Sequence, residues 1–265
     1  MPVLSDLEPR EVFAWFERLC AIPHGSHHAK AISDYLVAFA RERGLACRQD
    51  AANNVVIRKA ASAGYENAPV VMLQGHIDMV CEKDADCGKD METEGLDLFV
   101  DGDVIGARGT TLGGDDGIAV AMALAVLDAD DIPHGPLECV FTADEEVGMI
   151  GARALDASDL KAKYLINIDS EEEGVLTVSC AGACRMACTL PVTRVPFDGQ
   201  TLRVRISGLA GGHSGEEIHK GRANANLLLG RALDEMSRAG ALRLIRVSGG
   251  AKDNAIPREA EAVVR

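Results

Sequence analysis

The sequence predicts an α/β fold: a mainly parallel, mixed sheet with flanking helices over residues 1–185, then part of a second, α+β unit over residues 186–265. Three observations carry that prediction. Short apolar runs alternate with amphipathic helical patterns, the arrangement that sets strands side by side under crossover helices. Several of these runs end in a histidine or an acid, and open α/β sheets place ligands beyond the carboxyl ends of their strands. After Gly182 the pattern changes, and Leu202, Arg203, Val204, Arg205 and Ile206 alternate as a half-exposed strand does.

From the N-terminus, Ser5 and Asp6 offer an N-cap, and Val12, Phe13, Phe16, Leu19 and Cys20 share one helical face. Pro23 and Gly25 break that helix. A second amphipathic helix runs through Ile32, Tyr35, Leu36 and Phe39 and ends at Gly44. His24, His27 and His28 lie between the two and read as solvated loop residues. Strands are expected near residues 45–48 and 55–57, and again where Val70, Val71, Met72 and Leu73 run into Gln74, Gly75, His76, Ile77 and Asp78.

Side chains two apart leave the same face of an extended chain, so His76 and Asp78 point the same way. A histidine with a neighbouring carboxylate is the pattern of a metal ligand and the group that orients it. Alone, the pair more often marks an ordinary loop histidine. Its weight depends on what the rest of the chain supplies.

Residues 81–97 are polar and read as a loop, and residues 98–105 as a hairpin with Asp101 and Gly102 at the turn. Gly113, Gly114, Asp115, Asp116 and Gly117 then precede an uncharged run from Ile118 to Leu127, which predicts a fully buried helix. Carboxylates suit a helix start, but a cap needs only one acid. Two acids among glycines tilt the reading toward a site. A further strand from Leu137 to Phe141 leads to Asp144, Glu145 and Glu146, with a helix at 150–155. Another, from Tyr164 to Ile168, leads to Asp169, and Glu171, Glu172 and Glu173 read as an exposed acidic loop.

If these groups converge, the cluster is strongly anionic. Like charges about 4 Å apart near a protein surface repel by roughly 4 kcal/mol per pair, so the cluster calls for cations. Nitrogen and oxygen donors without thiolate fit zinc, with manganese or cobalt as alternatives. One histidine with several carboxylates is more acid than a single zinc needs, which points to two divalent ions sharing a carboxylate.

The remainder is the α+β unit. Gly211, Gly212, His213, Ser214 and Gly215 present a histidine from a glycine-rich loop, residues 224–236 read as a helix and residues 242–247 as a strand. His134 and His219 have no such setting and read as surface residues. Cys180, Cys184 and Cys188 recur every four residues without zinc-ribbon spacing and read as small buried residues.

The formal charge of −14, from 41 acidic and 27 basic residues, argues against nucleic acid or an anionic membrane as partner. No apolar stretch reaches the length of a membrane span. No basic and apolar leader is visible at residues 1–6, and eight cysteines without one predict free thiols in a reducing cytoplasm.

The ordered motifs around Gly75-His76-Ile77-Asp78, Gly113 to Gly117, Asp144 to Gly148, Ile168 to Gly174 and Gly211 to Gly215 resemble those of the di-zinc dipeptidase and aminoacylase family. Ile22 to Ser26 and Asn254 to Ala260 add a likeness to its aminoacyl-histidine dipeptidase branch, and the resemblance spans essentially the whole chain. It implies metal-dependent hydrolysis of Xaa-His and related dipeptides. His76 would bind one zinc, oriented by Asp78, with Asp169 completing that ion. Asp115 would bridge to a second ion held by Glu146. Glu145 would be the general base, taking a proton from a water between the metals and passing it to the leaving amine. His213 would stabilise the oxyanion in a partner subunit's site, Asn254 would help hold the substrate, and the α+β unit would be a lid through which a homodimer forms.

The family supplies a last zinc-binding histidine near its C-terminus. Here no histidine follows His219 and residue 265 falls within a predicted strand. The expectation is therefore an N-terminal portion of a longer enzyme, with its second metal site incomplete. The alternatives are an N-acyl amino acid deacylase or other exopeptidase of the same family, and a truncated, non-catalytic metal-binding fragment.

Overall fold

The computed structural model describes residues 2–170, 172–180, 182, 186–215, 217–252 and 254–265. The chain divides into two compact units, Met1–Ala181 and Gly182–Arg265.

In the first unit, α1 (Arg10–Cys20) buries Trp15, Phe16, Leu19 and Cys20. It starts later than Ser5 and Asp6 suggest. Its cap position is Pro9, with no side-chain hydrogen bond, and a proline ring costs a helix nothing where the first N–H groups have no partner. Residues before it are tied down instead by the Glu17 carboxylate, which accepts from the backbone N–H of Val3 and Leu4. Helix α2 (Lys30–Glu42) buries Ile32, Leu36, Phe39 and Ala40, and Gly44 follows it with φ of 66°.

The strands are β1 (Ala46–Gln49), β2 (Val55–Lys59), β3 (Val71–His76), the hairpin β4 (Leu98–Asp101) and β5 (Val104–Ala107), β6 (Leu137–Thr142) and β7 (Tyr164–Asn167). Between them lie α3 (Gly114–Asp128) and α4 (Ile150–Ala154). The main sheet runs β1-β2-β6-β3-β7. Strand β3 is parallel to β6 and β7, whereas β2 is antiparallel to both β1 and β6. The sheet is thus mixed, with its parallel half built around β3.

Register decides what this sheet presents. His76 pairs with Thr142, so β3 and β6 end level with each other. Gln74 pairs with Asn167, which carries Asp169 past the end of β7 on the same side. The core gathers α1, α2 and α3 on the sheet through Phe16, Leu36, Ile57, Ile77, Leu124 and Phe141, each at most 2% exposed. From Ile118 to Leu127 helix α3 is apolar on all sides and mostly buried as expected, except at Met122, which is exposed. It lies close to β3 because residue 75 is glycine: a Cβ there would sit 2.7 Å from Asp116 Oδ2 and 3.1 Å from the Ala119 methyl.

The second unit holds β8 (Leu202–Ile206), a single 3₁₀ turn (Ile218–Lys220), α5 (Ala225–Ala239), β9 (Leu244–Gly249) and β10 (Ala260–Val264). Its sheet is antiparallel, in the order β8-β10-β9. The Asn224 side chain caps α5 by accepting from the N–H groups of Asn226 and Leu227. Ala225 and Leu229 pack on Ala260, Ala262 and Val264. Cys180 and Cys188 are exposed rather than buried, because no helix or strand forms around them among the described residues; Cys184 lies outside those residues.

Candidate metal centre

His76 ends β3 at 1% exposure, with both ring nitrogens engaged. Nδ1 lies 2.9 Å from the backbone carbonyl of Asp78 and 3.5 Å from its Oδ1. That leaves Nε2 as the outward donor atom, and it lies 2.9 Å from Asp115 Oδ1. Burial pulls the imidazole down, but the hydrogen bonds with Asp78 and Asp115, and the nearby charges of Asp78 and Asp116, outweigh it and push His76 up to about 10.

Asp78 is equally buried. Its Oδ1 accepts from the backbone N–H of Glu145 at 2.9 Å, and its Oδ2 from the Ser26 hydroxyl at 2.8 Å and the Glu146 N–H at 3.4 Å. Burial works against the charge, yet contact with His76 and the hydrogen bonds from Glu145 and Ser26 hold the carboxyl below its usual range.

The acids of α3 lie on a non-helical first turn: Asp115 and Asp116 both depart from helical backbone angles, and the peptide joining them is cis. Asp115 is exposed and faces the His76 ring; Asp116 is 1% exposed and accepts the His76 backbone N–H at 3.1 Å. Burial pushes the Asp116 carboxyl up to about 7, opposed by the His76 charge and reinforced by Asp169 and Asp115.

The third group of acids follows β6. Asn54, 1% exposed, holds the base of that segment. Its Oδ1 accepts from the Ala143 N–H at 3.0 Å, and its Nδ2 donates to Gly151 O at 2.9 Å and to Asp50 Oδ2 at 2.7 Å. Gly151 N–H closes the loop onto Ala143 O at 2.9 Å, a crossing that leaves no room for a side chain at 151. Glu145 and Glu146 are half-buried on the segment so held. Burial raises the Glu145 carboxyl, with Asp169, Asp78 and Asp115 adding to the effect against the opposing His76. Glu146 is raised too, by burial and then by Asp115.

Two overlapping groups have donor atoms all within 4.8 Å of one another: His76 with Asp115 and Glu146, and His76 with Asp116 and Asp169. These are imidazole and carboxylate donors, and zinc takes such atoms at about 2.0–2.2 Å. The set therefore fits a divalent ion with only small closing movements. His76 offers one nitrogen outward, so it serves one ion at a time; a second ion would have carboxylates alone among the described residues.

His213 and Asn254 lie together in the second unit. His213 forms an isolated antiparallel bridge with Ala255, and the Ser214 N–H donates to Asn254 O at 2.9 Å. The His213 N–H donates to Glu217 Oε2 at 3.0 Å, and both His213 and Asn254 are exposed.

The chain thus gathers His76, Asp78, Asp115, Glu145, Glu146 and Asp169 at one end of the main sheet. It adds Asp116, whose neighbour Asp115 the sequence favoured, and Ser26, which the sequence marked only as part of the Ile22 to Ser26 likeness, with no role of its own. The paired acids were a usable signal for the first. For the second, the motif Ile22 to Ser26 was visible, but nothing in it assigned the serine a role.

Residues 72–252 match the peptidase family M20/M25/M40. The cytosol non-specific dipeptidase of Escherichia coli (strain K12) is 45% identical over 266 residues, 100% of this chain and 55% of that protein. The crystal structure of aminoacylhistidine dipeptidase from Vibrio alginolyticus is similar at 42% identity with a TM-score of 0.75, covering 98% of this chain and 54% of that one. A tripeptidase from Staphylococcus aureus shares the fold at 21% identity and a TM-score of 0.57, over 96% of this chain and 65% of that one. The chain spans about half the length of the two dipeptidases it matches.

Proposed function

The chain belongs to the peptidase family M20/M25/M40, and on that premise we propose that it carries the metal centre and catalytic base of a dipeptidase acting on Xaa-His and related dipeptides. The observation that supports this best is the convergence of His76, Asp115, Glu146 and Asp169 into groups with metal-ligand spacing, with Glu145 on the same turn as Glu146. The names of the Escherichia coli and Vibrio relatives support the substrate class.

In this reading His76 and Asp169 would hold one ion and Glu146 another, with Asp115 available to both. Zinc, or else manganese or cobalt, would supply Lewis acidity there, lowering the pKa of water and polarising the scissile carbonyl. Asp78 keeps the His76 ring turned outward. Glu145 takes the proton from the attacking water and returns it to the departing amine; burial raises its carboxyl, toward the range where a general base works near neutral pH. His213 and Asn254 contact the substrate, His213 in the site of a second copy, so the working form is a homodimer joined through the second unit. The location proposed is the cytoplasm, as in the name of the Escherichia coli relative. Among the described residues no helix is long and apolar enough to cross a membrane.

The test is a substrate panel with zinc or manganese added: alanyl-histidine, β-alanyl-histidine, other dipeptides, and N-acyl amino acids. Turnover of the dipeptides is expected. Turnover of the acylated amino acids alone would move the assignment to a deacylase, and no turnover of either would overturn it. The sharing of His76 by both donor groups favours a second reading, a chain that binds one ion tightly without catalysis. Two bound ions together with turnover would remove that reading.

A further inference from the structure

We propose that Ser26 is a positioning residue of the metal centre, acting through Asp78. The inference rests on the centre proposed above and concerns a loop, residues 22–28, that precedes the span matched to the family. Asp78 has its carboxylate plane fixed by hydrogen bonds, since the last torsion of an aspartate is broad and intrinsically undecided. One oxygen, Oδ1, is claimed by the Glu145 N–H and faces His76 Nδ1. The other, Oδ2, has its short contact from the Ser26 hydroxyl at 2.8 Å; the Glu146 N–H reaches it only at 3.4 Å. Without that hydroxyl, Oδ2 keeps only the 3.4 Å contact from the Glu146 N–H and the carboxylate can pivot about its bond to the Glu145 N–H, and His76 depends on its plane.

The loop is built to deliver this hydroxyl. Ser26 N–H donates to Met79 O at 3.2 Å and Met79 N–H to His24 O at 3.1 Å, so residues 24–26 run beside the chain that leaves β3. One residue on, the His27 N–H donates to Asp144 Oδ1 at 2.6 Å. His27 and Asp144 both have left-handed backbones, with φ of 67° and 54°. Non-glycine residues accept that conformation where the surroundings over-determine it, often at functional sites. The same loop therefore braces the chain after β3 through Ser26 and the chain after β6 through His27.

Cobalt(II) titration of the purified chain, followed by visible absorption, tests the role without relying on turnover. Loss of a partner that directly orients a metal ligand weakens binding about 10–100-fold. Ser26 stands one contact further out, so Ser26→Ala is expected to weaken cobalt binding about 3–10-fold and to alter the cobalt spectrum, while Ser26→Thr, which keeps the hydroxyl, restores both. A Ser26→Ala protein with wild-type affinity and spectrum overturns the positioning role and leaves the centre standing. A wild-type chain that binds no cobalt removes the centre and the role with it. If Ser26→Ala does not fold, Ser26→Cys replaces it: its weak donor should bind cobalt less tightly than Ser26→Thr, and equal affinity of the two overturns the proposal.

Discussion

The carboxylate of Asp78 accepts the backbone N–H of Glu145 across 2.9 Å, although 67 residues separate them in the chain. Asp78 therefore has two jobs at once. It steadies the imidazole two residues before it, and it fixes the turn on which the proposed base is carried. The two strand ends are joined by a buried charge that neither strand could hold alone.

Replacing Asp78 should show the first of these effects directly. Asp78→Ala is expected to weaken metal binding about 10–100-fold, the range for losing a group that orients a ligand. Isothermal titration with zinc measures it, and unchanged affinity would dismiss the orienting role.

Glu145→Ala separates base from ligand. A positioned general base contributes about 10²–10⁴-fold to rate, so dipeptide hydrolysis should fall by that factor while metal content, read by elemental analysis, stays near wild type. Normal turnover would remove the base assignment.

The His76 proton competes with metal. With His76 pushed up from 6.5 to about 10 in the metal-free protein, its contribution to stability is complete below pH 6.5 and is lost as pH rises through about 10. Metal uptake below that upper value must expel the proton. Affinity should therefore climb with pH up to about 10, and calorimetry in buffers of different ionisation enthalpy should register proton release. Binding with no proton released near neutral pH would contradict the site's electrostatics.

Glu138 offers a stability test away from the centre. It is 3% exposed and accepts from the N–H groups of Lys161 at 2.8 Å and Ala162 at 3.0 Å and from Arg58 Nε at 3.1 Å. Burial opposes its charge, but the Lys161 amide, Arg58 and the Ala162 amide prevail and hold the carboxyl below 4.5. Its contribution is thus complete above pH 4.5 and fades as pH falls through the lower folded value. Glu138→Gln should cost about 2 kcal/mol at neutral pH by urea denaturation, with the gap to wild type narrowing in acid.

Much of the centre was legible because each strand announces its end. An apolar run that stops at His76, Asp144 or Asp169 states both where the sheet finishes and what it presents. The helix α3 was equally plain, since no charge interrupts Ile118 to Leu127. Pairing direction was not. Whether β2 runs with β6 or against it depends on a partner some 80 residues away, and alternation reports burial rather than direction. The start of α1 was misplaced because Ser5 and Asp6 are good caps in isolation, while Pro9 and the Glu17 contacts decide the matter in three dimensions. Between Asp115 and Asp116, composition could not tell which would turn inward; the non-helical turn does that.

Among the described residues no hydrogen bond joins Asn54 to a candidate ligand, yet its amide ties together both ends of the segment that carries Glu145 and Glu146. In a mutational scan read only by peptide turnover, losses at Asn54 would be indistinguishable from losses at the metal ligands themselves. Reading folded yield and bound metal alongside turnover would sort them, because a slackened Asn54 should displace the acids without changing the donors available. Asn54, in the small turn between β1 and β2, would then rank among the chain's least substitutable positions, for reasons of mechanical support rather than chemistry.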